Sequence, residues 1–384
     1  MNLRNNLIDW LNEHGENSFG LLEDLGIKVS KDDRYPNLFN FKYGSILADK
    51  TNLIVCACRG AVVEIIRNNG DQSPYFRLVA YAFDRFFNYG EPGAATIDWK
   101  TAKVFTKYDG SLIKLFFWNG DWIVSTSGSV GGASKVGDSD KSFEELFWEV
   151  FNDSDYNKED LNPDHCYIFE LCSLENKVVI SYCPSIIRLL AVRDRTRDFE
   201  ELPLEEFYET FDVAWSHLFG DPSVVTTGSH DIGLFYNLTG EDVVNAANSL
   251  GARNEGYVVC DINKNRIKIK SDLYCQLHRI SGNGQPDFSE LYLNDDLEEF
   301  LLHFPEYSEK FGNYVERIST YSSQAEIFIA ENSTLNQKDF AQKLLSQHPE
   351  ISGAVFNIRS GRVKDFAHYI ENLTPRQLDR LLGI

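Results

Sequence analysis

The chain has 384 residues, 43% of them hydrophobic and 25% charged, with a formal net charge of −21. That length exceeds one ordinary small domain, so two domains with a sizeable buried core are expected. No apolar run reaches the length of a membrane span. The acidic balance argues against a generic nucleic-acid coat, whose nonspecific affinity would come from neutralised phosphates, though not against an enzyme with a locally basic cleft.

In chain order, Leu3, Leu7, Trp10 and Leu11 fall on one helical face, and the N-terminus lacks the apolar stretch of a signal peptide. Residues 35–65 read as β-rich, through NLFNFKYG and LIVCACRGAVVEII. Residues 103–127 read as two strands joined at WNGD, a hairpin signal. A Gly/Ser-rich loop follows at 128–142, then an amphipathic helix at 142–151. CYIFELCS and NKVVISY, within 166–182, read as a strand pair, 185–194 as a further apolar run, 203–219 as helical, and 241–252 as a helix closed by Gly251. Residues 255–272 read as a hairpin turning at NKN. Composition shifts at SGNGQP, 281–286, and the pattern beyond is helical, with Pro375 in a first turn behind a Thr374 cap. The expected fold class is therefore α+β: a mixed or antiparallel-sheet body over 1–280 and an all-α domain over 281–384. The seven cysteines, scattered in apolar segments, read as reduced buried thiols of a cytosolic protein, and no zinc spacing occurs.

The chemistry-bearing residues lie on the strands of the body. In FTKYDGSL, Lys107 and Asp109 share one face if the strand continues, and Gly110 ends it. Taken alone, this reads as a Lys/Asp pair at a strand end before a turn glycine. Glu170 sits inside the apolar run YIFEL, where a carboxylate is costly to bury without a partner. Glu255 directly precedes a strand, Lys268 and Lys270 share a face of the next with Asp272 on the same side, and Arg59 stands at a strand end. Singly these are surface charges on half-exposed strands. Together they suggest a polyanion-plus-metal site, in which cations clamp a triphosphate and carboxylates hold magnesium through water.

KYDG, FEL, EGYVV and KIKSD resemble, in order, motifs I, III, IV and V of the covalent nucleotidyltransferases, and most closely those of the bacteriophage T4 RNA ligase 1 family. CRGAVVEI with FDRFFNYGE resembles that family's upstream block, TKYDGSL its motif I, and KIKSDLYCQLH, which runs into Tyr274 and His278, its motif V. The likeness spans about residues 35–280. Two departures stand out. Ser127 occupies a position where the family often carries a lysine or arginine, and SIIRLLAVRD lacks the aromatic that often stacks on the base.

The resemblance implies an ATP-dependent RNA ligase whose nucleotidyltransferase domain precedes a helical domain. Lys107 would attack the α-phosphate of ATP. That requires a neutral amine, and Lys268, Lys270 and Arg59 nearby would disfavour its protonation. Lys268 and Lys270 would neutralise the α-phosphate, and Glu255 would hold Mg2+, for which Mn2+ can stand in. Glu170 would bond the ribose hydroxyls, and Asp109 and Gly110 would shape the nucleophile's turn. Arg59 and Arg85 would reach the β- and γ-phosphates, and Thr106 is counted with the nucleotide-binding residues. The substrates implied are RNA 5′-phosphate and 3′-hydroxyl ends; single-strand joining, tRNA repair and an unrelated host RNA all fit. The expected setting is cytoplasmic, that of the host if the chain is viral. The alternatives are a DNA ligase or capping guanylyltransferase, which usually carries a β-barrel after motif V, and a non-catalytic RNA-binding protein, against which the intact motif lysines argue.

Overall fold

The computed structural model describes residues 3–44, 48–67, 74–137, 139–154, 156–212, 239–251, 254–275, 287–294, 297, 300–301 and 305–384. The chain divides into two compact units, one comprising 1–43 with 48–278 and the other 44–47 with 279–384. The composition shift at 281–286 lies outside the described residues.

In the larger unit, helices α1 (Leu3–His14) and α2 (Ser18–Asp24) precede an antiparallel sheet in the order β1 (Ile27–Lys31), β2 (Leu38–Tyr43), β3 (Arg59–Ile66), β4 (Tyr75–Ala80). Leu7 and Leu11 of α1 and Leu22 of α2 are buried in one cluster with Phe41, Val62 and Phe76, which covers one face of this sheet. LIVCA, read as strand, is instead the short helix α3 (Leu53–Ala57). Asn52 precedes it in an extended conformation and accepts the Ile54 N–H, a local cap that overrides the β-propensity of Ile and Val.

After β5 (Phe87–Asn88), the segment read as one hairpin is three strands in two sheets: β6 (Lys103–Lys107), β7 (Ser111–Trp118) and β8 (Asp121–Thr126). The hairpin at Asn119–Gly120 joins β7 and β8, with both turn residues at positive φ as a two-residue loop requires. β6 leaves for another sheet because the chain breaks at Tyr108–Gly110. The second sheet has the order β11-β10-β9-β7-β8, where β9 is His165–Cys172, β10 Ile186–Asp194 and β11 Glu200–Glu201. Its central strand β9 is nearly all apolar because both faces are covered. Helix α4 (Phe143–Asp153), started by a Ser142/Glu145 capping box, buries Leu146, Phe147, Val150 and Phe151 against one face. NKVVISY does not pair with β9, which is flanked by β7 and β10 instead. Within 203–219 the described part holds only the 3-10 turn Leu204–Phe207, and 213–238 lie outside the described residues.

The third sheet has the order β5-β13-β12-β6, with β12 spanning Gly256–Cys260 and β13 Arg266–Lys270. Strict alternation in RIKIK sends Ile267 and Ile269 into a cluster with Val104, Val259 and Val243. Val243 belongs to helix α5 (Gly240–Asn248), which ends before Gly251. Arg266, Lys268 and Lys270 take the opposite face, while Asp272 lies beyond the strand end.

In the smaller unit every regular element among the described residues is helical. EKFGNYVERIS and AEIFIAE, read separately, are one helix, Ser308–Glu331, with Phe311, Tyr314, Ile318, Ala325 and Phe328 along its buried face. Helices Gln337–Gln347, Ser352–Arg359, Phe366–Ile370 and Pro375–Leu382 complete its core, the last with the expected Thr374 cap and Pro375 in its first turn. No helix among the described residues is long and apolar enough to cross a membrane. The cysteines are thiols, not disulfides; six are buried and Cys183 is exposed.

Candidate active site

Strand register brings the two ends of the chain's chemistry together. Gly256 pairs with Lys107 on one side and with Lys270 on the other, so Glu255 sits between two lysines delivered by adjacent strands. Glu255 Oε1 lies 2.6 Å from Lys107 Nζ and 3.2 Å from Lys270 Nζ. The approach depends on glycine. Gly256 has φ +150°, and a Cβ there would fall 2.1 Å from the Ile269 carbonyl oxygen, a backbone atom that cannot swing aside. Lys268 shares the strand face of Lys270, with its carbonyl held by the Tyr89 N–H.

Lys107 ends β6, and Asp109 falls beyond the strand, so the shared face expected from period two is not what relates them. Asp109 is buried, 5% exposed. Its Oδ2 accepts the N–H groups of Val179 (2.8 Å) and Ile180 (2.7 Å), and its Oδ1 accepts the Tyr274 hydroxyl at 3.0 Å. Its own N–H donates to Tyr182 Oη. The segment read as a strand at NKVVISY therefore turns its amides to a carboxylate instead of a neighbouring strand, as buried backbone donors must find some acceptor. Gly110 lets this turn lie on the end of β9: a Cβ would meet the Leu171 carbonyl oxygen at 2.3 Å. Sequence reasoning gave Tyr274 a place in a motif but no role, and Tyr182 had no signal at all. The Tyr274 ring also lies 5.2 Å beneath Lys270 Nζ.

Glu170 stands on β9 where Lys107, Glu255, Arg59 and Asp109 all act on it electrostatically. Burial pushes its carboxyl up to about 8, with Lys107 and Arg59 opposing and Glu255 and Asp109 reinforcing. Arg59 opens β3, its guanidinium 5.0 Å from the Phe86 ring centre. Arg85 packs between Tyr43 and Phe87 and lines a 730 Å³ cavity with Arg4, Arg193 and Arg266; Lys107, Glu255, Lys268 and Lys270 are not among its walls. Thr106 pairs with Tyr257 within the sheet. His278 lies outside the described residues.

One expectation changes. Lys107 was expected beside Lys268, Lys270 and Arg59; its immediate partner is instead the Glu255 carboxylate. Glu255 also bears on metal binding. Its Oε2 is buried with no hydrogen-bond partner among the described residues, an uncompensated acceptor of the kind a cation would satisfy. No group of three or more His, Cys, Asp or Glu side chains gathers among the described residues.

The second and third sheets bring Lys107, Glu255, Lys270 and Glu170 within electrostatic reach of one another, an arrangement of the nucleotidyltransferase type. The RNA ligase family of the T4 RNA ligase 1 type matches residues 57–274, and the chain belongs to it. The chain is 27% identical to a putative bifunctional polynucleotide kinase/RNA ligase of Autographa californica nuclear polyhedrosis virus, over 79% of this chain and 43% of that protein. It is 28% identical to an RNA ligase of Rhodothermus phage RM378, over 69% of this chain and 70% of that one. It thus spans less than half the length of the baculovirus relative. Among solved structures, an archaeal ATP-dependent RNA ligase resembles it with a TM-score of 0.45 at 14% identity, over 83% of this chain and 82% of the other.

Proposed function

We propose that the chain is an ATP-dependent RNA ligase that seals 5′-phosphate and 3′-hydroxyl RNA ends through lysyl-AMP and RNA-adenylate. The observation that carries this reading is the single Glu255 carboxylate shared by Lys107 and Lys270 inside the segment that matches the RNA ligase family. In the first step a Lys107 Nζ–P bond forms as the bond from the α-phosphorus to the bridging oxygen breaks, and pyrophosphate leaves. The amine must lose a proton first, and Glu255, 2.6 Å away, is placed to take it. Lys270 shares the same Glu255 oxygen, 3.2 Å from it. Lys268 and Lys270 neutralise the α-phosphate, Glu170 meets the ribose hydroxyls, and Arg59 faces the outer phosphates. Magnesium bound at Glu255 supplies positive charge to phosphate oxygens. Asp109, saturated by hydrogen bonds, acts as the anchor of the nucleophile's turn and not as a base.

AMP then passes to the RNA 5′-phosphate, and the 3′-hydroxyl displaces it; positioning and electrostatics dominate both transfers. Repair of cleaved tRNA is one reaction of this class, as is the joining of other RNA single strands. The test is incubation with α-labelled ATP and magnesium, with and without 5′-phosphorylated RNA. A protein-bound label that chases into joined RNA is the expected result. Labelling by GTP in place of ATP would instead favour a capping guanylyltransferase.

A further inference from the structure

Lys114 is the anomaly that the proposed chemistry does not use. It lies in the middle of β7, paired with Ser125 on β8 and Ile168 on β9, and is 0% exposed. Ile113 and Leu115, its neighbours, enter the core beneath α4, while Phe116, on the same face as Lys114, packs with Ala61, Val62 and Val63 of β3. An apolar side chain would fill this position at less cost, because a buried amine must be compensated. No carboxylate lies within ion-pair reach of it among the described residues. Its one hydrogen bond runs from Nζ to the Thr126 carbonyl oxygen, at 2.6 Å.

That carbonyl is the first of four in succession, each held by a side-chain donor. Lys114 holds Thr126, Asn40 Nδ2 holds Ser127 at 3.1 Å, Ser30 Oγ holds Gly128 at 2.9 Å, and Ser125 Oγ holds Ser129 at 2.8 Å. The turn 126–129 is therefore pinned through its carbonyls to β1, β2, β7 and β8, while Ser127 stays partly buried and Gly128 exposed. The turn also touches the start of β3. Gly60 has φ +80°, and a Cβ there would fall 2.8 Å from Ser127 Cα and 3.2 Å from Lys114 Nζ. Gly60 adjoins Arg59, whose charge reaches Glu170 and with it the Lys107 site.

We propose that Lys114 is a positioning residue for the polyphosphate end of the nucleotide: by fixing the Thr126 carbonyl it sets Ser127 against Gly60 and so places the adjoining Arg59 guanidinium, the group that would meet the phosphates. The inference rests on the reading that this site takes ATP. It also accounts for a serine at 127: the amine reaches the turn from beneath, out of a neighbouring strand, as a strut. Burial holds that amine down to about 7, so a large share of it is uncharged at neutral pH.

The experiment compares wild type with Lys114→Met in two reactions. One is lysyl-AMP formation as a function of ATP concentration. The other is sealing of pre-adenylylated RNA, which needs no β- or γ-phosphate. The expected result is a rise of about fivefold or more in the KM for ATP with sealing of pre-adenylylated RNA within about twofold of wild type. Equal losses in both reactions would make Lys114 a purely structural residue and overturn the proposal, as would an unchanged KM. Should Lys114→Met fail to fold, Ser125→Ala removes a donor from the same turn and is expected to give the same split to a smaller degree; a wild-type KM in that variant overturns the proposal. A wild type that forms no adduct overturns the ATP reading and this inference together. A wild type that labels normally beside an indistinguishable Lys114→Met overturns this inference alone.

Discussion

At the scale of single residues, the site separates charge from nucleophilicity. Lys107→Arg keeps a cation opposite Glu255, but a guanidinium stays protonated and cannot attack phosphorus. The expected outcome is a melting temperature close to wild type with no label transferred from α-labelled ATP; a labelled Arg variant would remove Lys107 from the mechanism. Glu170 offers a test that needs no substrate. Its carboxyl is held up to about 8 in the folded chain, against 4.5 for the ordinary side chain. The folded state thus binds this proton more tightly than the unfolded one. The stability from that preference is full below about pH 4.5 and is lost as pH rises through about 8. Relative to Glu170→Gln, which keeps a neutral group, wild type should lose about 4 kcal/mol between pH 5 and 8.5 in denaturant titrations. A difference that stays constant across that window contradicts the assignment.

At the scale of elements, β12 is the keystone, since Gly256 is paired with Lys107 on β6 and with Lys270 on β13. Gly256→Ala drives a Cβ into the Ile269 carbonyl, so the register must shift at the two positions that carry the lysines. A loss of about 2–4 kcal/mol in unfolding free energy together with loss of adduct is expected, by calorimetry and labelling; a stable, active variant would show that this approach is not required. The alternation of RIKIK and the isolated glutamate of YIFEL were legible in the sequence because strand periodicity records burial directly. The path of residues 174–182 was not. VVIS has the composition of a strand, yet its amides serve Asp109, and nothing local marks a carboxylate that arrives from 70 residues away in sequence. The split of 103–127 between two sheets escaped for a related reason: hairpin signals are local, and the pairing of β6 with β12 is not. LIVCA failed differently, through a one-residue cap outweighing propensity.

At the scale of the whole molecule, a net charge of −21 must coexist with the polyanionic substrate that the proposed function requires. Arg59, Lys107, Lys268 and Lys270 would meet the phosphates locally, while many other cations are exposed and several pair with carboxylates. Few phosphates should be neutralised on RNA binding, so sealing should fall less than about tenfold between about 50 and 200 mM salt; a much steeper fall would point to a broad basic surface. The four motifs were legible as ordered residue types because each supplies a charge that a strand would otherwise exclude. Their convergence needed the sheets. The claim on which everything rests is that Lys107 becomes covalently joined to AMP. Mass spectrometry of the peptide spanning residues 103–114, after incubation with ATP and magnesium, tests it most directly. The account predicts an AMP adduct on Lys107, acid-labile and alkali-stable as a P–N bond should be, and absent from Lys107→Ala. An adduct on another residue, or one that persists in Lys107→Ala, would contradict it.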